Sequence, residues 1–256
     1  MKLSTNVKLK LLVLMNHILL IIFLFTFEFN ITVLLSIISI LLIVKLGVEV
    51  GFHRMISHKQ IVPTRTLKFV LTYLGCMAGI GSPASYALIH RTHHAYSDTE
   101  NDPHCPTHIG VLRTWFTFWN TTKCRPSFIK DISSDKIYKF FHKNYFIVYF
   151  STLLLFMLFG LSVAVIFISI PCVYAFHMYG SVNTLGHLPG LHGYKNFKEI
   201  SGTNSRILNL LSFGEHLHNN HHNNPRLCNS TRPSEIDVSK YIISILVYLG
   251  VCTYTV

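Results

Sequence analysis

LLVLMNHILLIIFLFTFEFNITVLLSIISILLIVKLGVEVGFHRMISH, residues 11–58, holds two apolar runs and, directly after the second, a pair of histidines. Between Lys10 and Lys45 the only charged residue is Glu28. A membrane-crossing helix needs about 20 apolar residues. The stretch therefore reads as two spans, 11–27 and 31–50, joined by a tight turn at Glu28-Phe29-Asn30. Lys45 and Glu49, one turn apart, read as the point where the second helix leaves the hydrocarbon, because charge at bilayer depth is costly. Lys2, Lys8 and Lys10 before the first run resemble the start of a signal peptide. No small-residue cleavage site follows, so the run is expected to be retained as a span.

A second uncharged stretch runs from Lys143 to Lys195. It accommodates two spans, 145–160 and 163–182, turning at Gly160-Leu161-Ser162. Half of the 256 residues are hydrophobic and 13% are charged, against about 25% charged in soluble domains. Mean hydropathy is +0.41. The expected class is thus an all-α integral membrane protein, one domain over 1–256, with four transmembrane helices in two hairpins. Residues 51–144 and 183–256 form a helical cap. The net charge of +11 is not gathered into a dense basic run with interleaved aromatics, so no nucleic-acid partner is expected. Lys and Arg lie between the apolar stretches and put the cap on the cytoplasmic side, of either the endoplasmic reticulum or a bacterial inner membrane.

Other segments read less sharply. Residues 67–88 are apolar but broken by Gly75, Gly79, Gly81, Ser82 and Pro83, and are expected to form an interfacial or re-entrant helix. Residues 119–139 read as a polar connection, and Tyr241 to Val256 as a segment lying along the interface. Six cysteines without a CxxC pair read as reduced or buried thiols.

Nine of the sixteen histidines form a pattern. His53 and His58 lie five apart; His90, His93 and His94, and again His218, His221 and His222, share the spacing i, i+3, i+4; His187 stands alone. The triplet spacing stacks three imidazoles on one helix face. Converging neutral imidazoles prefer a metal ion. All of these groups fall on one predicted side, so a single site can gather them. His17, His142, His177 and His192 read as ordinary packed histidines. Asp98, Asp102 and Glu215 are placed to hold the second ring nitrogen of a ligand. Glu215, three residues from His218, is the strongest of these. Imidazole ligands alone do not separate iron from zinc or copper.

These residues resemble the membrane-bound fatty acid desaturases, of the type acting near the ninth carbon of an acyl-CoA. The resemblance is carried by Gly51 to His58, by His90 to His94 with the tail Ser97 to His104, by Asn183 to Leu188 and by Gly214 to His222. It implies two irons held by His53, His58, His90, His93, His94, His187, His218, His221 and His222, with Asn183 reaching one iron through water. It also implies dioxygen as co-substrate, an acyl-CoA or acyl-lipid substrate in the membrane, and electrons from a separate cytochrome b-type or ferredoxin-like carrier. Tyr86 stands where many members carry Trp at the bend of the acyl tunnel, and Ile80 where a polar residue is common. The expected activity is insertion of a cis double bond into a saturated acyl chain. The alternatives are a di-iron fatty acyl hydroxylase, which the Asn183 to His187 element argues against, and a non-enzymatic metal-binding protein. A metal carrier would need ligands along a path through the bilayer.

Overall fold

The computed structural model describes residues 4–25, 31–117, 119–121, 123–188 and 193–255. The first apolar run forms α1, Thr5–Leu24, started by Ser4, whose hydroxyl accepts from the Val7 N–H. The second forms α2, Ile31–Ser57. The turn expected at Glu28 to Asn30 lies outside the described residues, as does His192.

From Leu41 to Ser57, α2 is wound wide, with i→i+5 backbone bonds. Wide turns are rare and concentrate at functional sites. Here the widening ends on the histidine pair: the His58 N–H donates to the His53 carbonyl at 3.1 Å. The Ser57 hydroxyl donates to the Phe52 carbonyl at 2.8 Å. In such a helix, residues five apart return to the same side. A histidine pair spaced i, i+5, poorly aligned on an ordinary helix, is well aligned on this one.

A short strand β1, Ile61–Pro63, precedes α3, Arg65–Met77, and α4, Pro83–Tyr96. The apolar segment 67–88 is therefore two helices. The glycines at its centre make the break: Gly79 and Gly81 have φ of 71° and 112°, a conformation that costs glycine little and other residues much. Ser82 then caps α4, accepting from the Ser85 N–H, with Pro83 in the first turn where its missing donor is harmless.

Helix α3 lies directly on α2. A methyl group added to Gly47 would sit 2.5 Å from the Gly75 nitrogen, and one added to Gly75 would sit 2.5 Å from the Phe52 ring. The two glycines let the backbones approach, a device common between membrane helices.

Two short helices follow, α5, Pro106–Ile109, and α6, Val111–Phe116; the connection read as polar, 119–139, then carries α7, Lys130–Ser134, and the start of α8, Lys136–Lys143. The second hairpin follows, with α9, Tyr145–Met157, and α10, Leu161–Leu185, turning at Gly160 with φ 119°. Among the described residues, α1, α2 and α10 are long and apolar enough to cross a membrane. Helix α9, at the third expected span, is apolar but has 13 residues, short of the usual 20.

The chain ends with α11, Arg206–Ser212, α12, His218–Asn223, α13, Val238–Tyr248, and a strand β2, Cys252–Tyr254. Strands β1 and β2 pair antiparallel, Ile61 opposite Tyr254, the one departure from helix among the named elements. The pairing ties the end of the chain to the exit of α2. All six cysteines are free.

Gly75→Val is expected to destabilise the protein by about 1–3 kcal/mol or more, because the new methyls meet Phe52 and the α2 backbone in a filled interface. Thermal unfolding of the detergent-solubilised variant, compared with the wild type and with Gly75→Ala, checks this.

Candidate metal centre

Four stretches far apart in sequence deliver imidazoles to one place. His53 and His58 come from the wide end of α2, and His90, His93 and His94 from one face of α4. His187 follows the last turn of α10, and His218, His221 and His222 stand on α12. Arg91 fastens α4 to the end of α2. It donates to the carbonyls of Ser57 and Ile56 at 2.8 and 2.6 Å and holds Asp131 through both carboxylate oxygens. Burial pushes the Asp131 carboxyl up, but Arg91 and Lys59 bring it down to about 2.

The triplet on α12 is fixed by asparagines. Asn204 accepts from the Asn219 N–H at 3.0 Å, and the Asn219 amide donates to the Phe197 carbonyl at 3.0 Å. The Asn220 amide donates to Glu235 at 2.7 Å. With these partners α12 holds its position although it has only six residues.

The ring nitrogens fall into two groups of four. One comprises His53, His58, His90 and His221; the other His93, His187, His218 and His222, and within each the nitrogens lie within 4.8 Å of one another. His94 joins them, its Nε2 2.9 Å from that of His221 and its ring stacked on His222 with centroids 4.3 Å apart.

The tautomers follow from the outer partners. The Nδ1–H of His53 donates to Glu49 at 2.8 Å, that of His93 to Asp102 at 2.9 Å, and that of His187 to Asp98 at 2.8 Å. Each of these imidazoles then presents a bare lone pair at Nε2. Those lone pairs point at other histidine nitrogens: His53 toward His221 at 3.0 Å, His93 toward His222 at 3.2 Å, His187 toward His218 at 2.7 Å. Where the partner ring donates no Nε2–H, such buried, inward-facing lone pairs repel unless a cation lies among them. The donor set therefore fits metal ions, with carboxylates orienting the ligands from behind.

The electrostatics agree. Burial holds His58, His90, His93, His94, His218, His221 and His222 well below the usual histidine range, and the neighbouring histidines add to it. They are neutral near pH 7, as metal ligands must be. Burial raises the Asp102 carboxyl to about 6. Asp98 is pushed up by burial but pulled below the usual range by the bond from His187.

Lys45 and Glu49, read as the point where α2 leaves the hydrocarbon, are both fully buried inside the protein. Glu49 accepts from His53 and from the Tyr179 hydroxyl. Lys45 pairs with Glu215 at 2.5 Å. Glu215 in turn does not serve His218. It also accepts from Ser239 and lies 3.7 Å from His53 Nδ1; burial raises its carboxyl, and Lys45 overrides this and brings it well below the usual range. Sequence spacing missed Glu49 as the acceptor for His53, although i, i+4 was available as a signal. It also missed Asn219 and Asn220, which sit inside the histidine motif itself.

Asn183 is buried and lines a pocket together with His53, His90, His218 and His221. The same pocket extends to Ile80, Tyr86, Trp119 and Tyr179. Tyr86 lies parallel to His90, centroids 5.8 Å apart, and edge-on to Tyr179. His17 and His177 stand apart from the centre. The His17 Nδ1–H donates to the Val13 carbonyl, the Trp115 indole donates to His177, and the two Nε2 atoms meet at 3.1 Å. His142 is bonded to Ser82.

A sequence profile of the family described as fatty acid desaturase matches residues 29–234. The chain is 31% identical over 220 residues to the sn-1 stearoyl-lipid 9-desaturase of Anabaena variabilis, covering 81% of this chain and 78% of that protein. It is 33% identical over 185 residues to the sn-1 stearoyl-lipid 9-desaturase of Synechocystis sp., covering 69% and 56%. It is 31% identical over 221 residues to the acyl-CoA C20 Delta5-desaturase of Anemone leveillei, covering 81% and 68%.

Asp102→Asn is expected to weaken metal binding by about 10–100-fold, read by competition with a chromophoric chelator. The metal-free protein is expected to lose stability as pH falls below about 6.5. The unfolded chain takes up protons there that the seven depressed histidines refuse, so stability rises with pH across this window. Melting temperatures of the metal-free protein at pH 7.5 and 5.5 check the sign.

Proposed function

This chain belongs to the fatty acid desaturase family, an oxidoreductase of acyl chains, and we propose that it inserts a cis double bond into the saturated chain of an acyl-lipid or acyl-CoA at a pair of irons. The observation that carries this is the division of the ring nitrogens into two facing groups, each with a carboxylate-oriented histidine. The nine histidines of the motif hold the metals, and Asn183 serves one of them through water. When bound, the irons supply what side chains lack: with dioxygen, two electrons and two protons they oxidise two adjacent methylenes to an alkene and release water.

The chain's own residues do the rest. Glu49, Asp98 and Asp102 keep His53, His187 and His93 in the tautomer that turns Nε2 inward. Tyr86, Tyr179, Ile80 and Val182 offer an apolar wall beside the histidines, which excludes water and aligns one carbon–carbon bond of the substrate. Tyr86, stacked on His90, sits where the acyl chain passes the centre.

The protein is a single domain with four spans, in which α9 with the turn at Gly160 serves as the third. The histidine-bearing ends of α2, α4, α10 and α12 face the cytoplasm. The basic connecting segments favour that orientation and attract an acidic electron carrier. The similarity to both acyl-lipid and acyl-CoA desaturases supports the acyl substrate.

Expression in a host rich in saturated lipids, followed by gas chromatography of the fatty acids, is expected to yield a new monoene. The position of its double bond reads the site of attack. A hydroxy acid in its place would contradict the desaturase reading. His93→Ala and His221→Ala are each expected to abolish the product while the protein still inserts into membranes.

A further inference from the structure

A second pocket adjoins the one at the metal centre and shares Gln60 and Leu227 with it. It is lined by Arg226, Lys240, Asn229, Ser244 and Tyr254, and no Asp or Glu lines it among the described residues. Lys240 bonds only to neutral oxygens, Asn229 at 3.3 Å and Thr231 at 2.7 Å. No ion pair of Arg226 occurs among the described residues. Among the described residues the other buried or half-buried cations are matched, Lys45 by Glu215, Arg54 by Asp237, Lys68 by Asp135 and Arg91 by Asp131; half-buried Lys240 is not, and Arg226 stands exposed at the mouth of its pocket. The contrast singles out this pocket as one where positive charge stands beside hydroxyl groups without an acid to neutralise it.

The surroundings say which anion fits. Lys240 lies in the first turn of α13, which Asp237 caps. From that point α13 turns Tyr241, Ile245 and Tyr248 outward, 54%, 58% and 90% exposed. Tyr254, on the adjacent strand, is also exposed and meets Ser244 at 3.2 Å. Tyrosines flanking an apolar helix, with Lys and Arg beside them, are the signature of a helix at the level of lipid headgroups. A cationic pocket at that level is placed to receive a phosphodiester. From it, Gln60 and Leu227 lead toward His53 and His221.

We infer that the Arg226–Lys240 pocket binds the phosphate of a membrane phospholipid whose acyl chain enters the metal centre past Gln60 and Leu227. The inference rests on the acyl substrate of the proposed function and narrows it to a phospholipid carrying the chain in the bilayer.

The test is a binding measurement that needs no turnover. Detergent-solubilised, full-length protein is titrated calorimetrically with dihexanoyl-phosphatidylglycerol, below its micellar concentration, and separately with free coenzyme A. The wild type is expected to bind the phospholipid, and Arg226→Gln with Lys240→Gln to weaken it about tenfold or more. The charge-preserving pair Arg226→Lys with Lys240→Arg is expected to bind as the wild type, which separates loss of charge from loss of fold. Dihexanoylglycerol, which lacks the phosphate, is expected to bind wild type and variants alike. Equal phospholipid binding by the wild type and the glutamine variant overturns the inference. So does binding of coenzyme A alone that the glutamine variant loses. Failure of the chain to desaturate any lipid, with this binding intact, would instead count against the proposed function.

Discussion

Lone pairs on buried nitrogen cannot face one another at hydrogen-bonding distance without something between them to share. His53, His93 and His187 spend their ring protons on Glu49, Asp102 and Asp98, so each must turn an acceptor inward. The other imidazoles answer with nitrogens of their own, and burial keeps His90 and His221 among them neutral. The convergence of acceptors is one that metal cations would relieve. Much of the rest of the chain can be understood as the framework that holds these nitrogens in place.

That framework is anchored on α2. Its wide turns bring His53 and His58 to one side. Three of its charged groups reach across to other segments: Lys45 to Glu215, Glu49 to Tyr179 and Arg54 to Asp237. A lone buried charge would cost several kcal/mol; here each is paired and hydrogen-bonded. The partners of Lys45 and Arg54, Glu215 and Asp237, lie before and after the last histidine group in the chain. Helix α2 and the histidine triplet are therefore held in register by interactions that tolerate little displacement.

Much of this was legible in the sequence. The spacing of the triplets foretold a shared helix face, and the uncharged runs foretold α1, α2 and α10. The glycines at 79 and 81 interrupted the apolar segment 67–88, although it read as one interfacial helix and not as α3 and α4. What escaped did so for physical reasons. Glu49 sits in an apolar run, where a carboxylate reads as a boundary until its partner is known. Lys45 and Glu215 are 170 residues apart, and spacing along one helix carries no trace of such a pair. The wide winding of α2 coincides with its close packing on α3 at Gly47 and Gly75, a contact that spacing along one helix does not reveal. The pairing of β1 with β2 joins two three-residue segments near opposite ends of the chain, too short for an alternating pattern to register.

The most direct measurement is the metal content of the purified, full-length protein, loaded with ferrous iron under anaerobic conditions and analysed by plasma mass spectrometry alongside Mössbauer spectroscopy. Two irons per chain, in nitrogen-rich surroundings, are expected. Iron at or below background, or a single iron whose spectrum is unchanged in His93→Ala and in His221→Ala, would contradict the account.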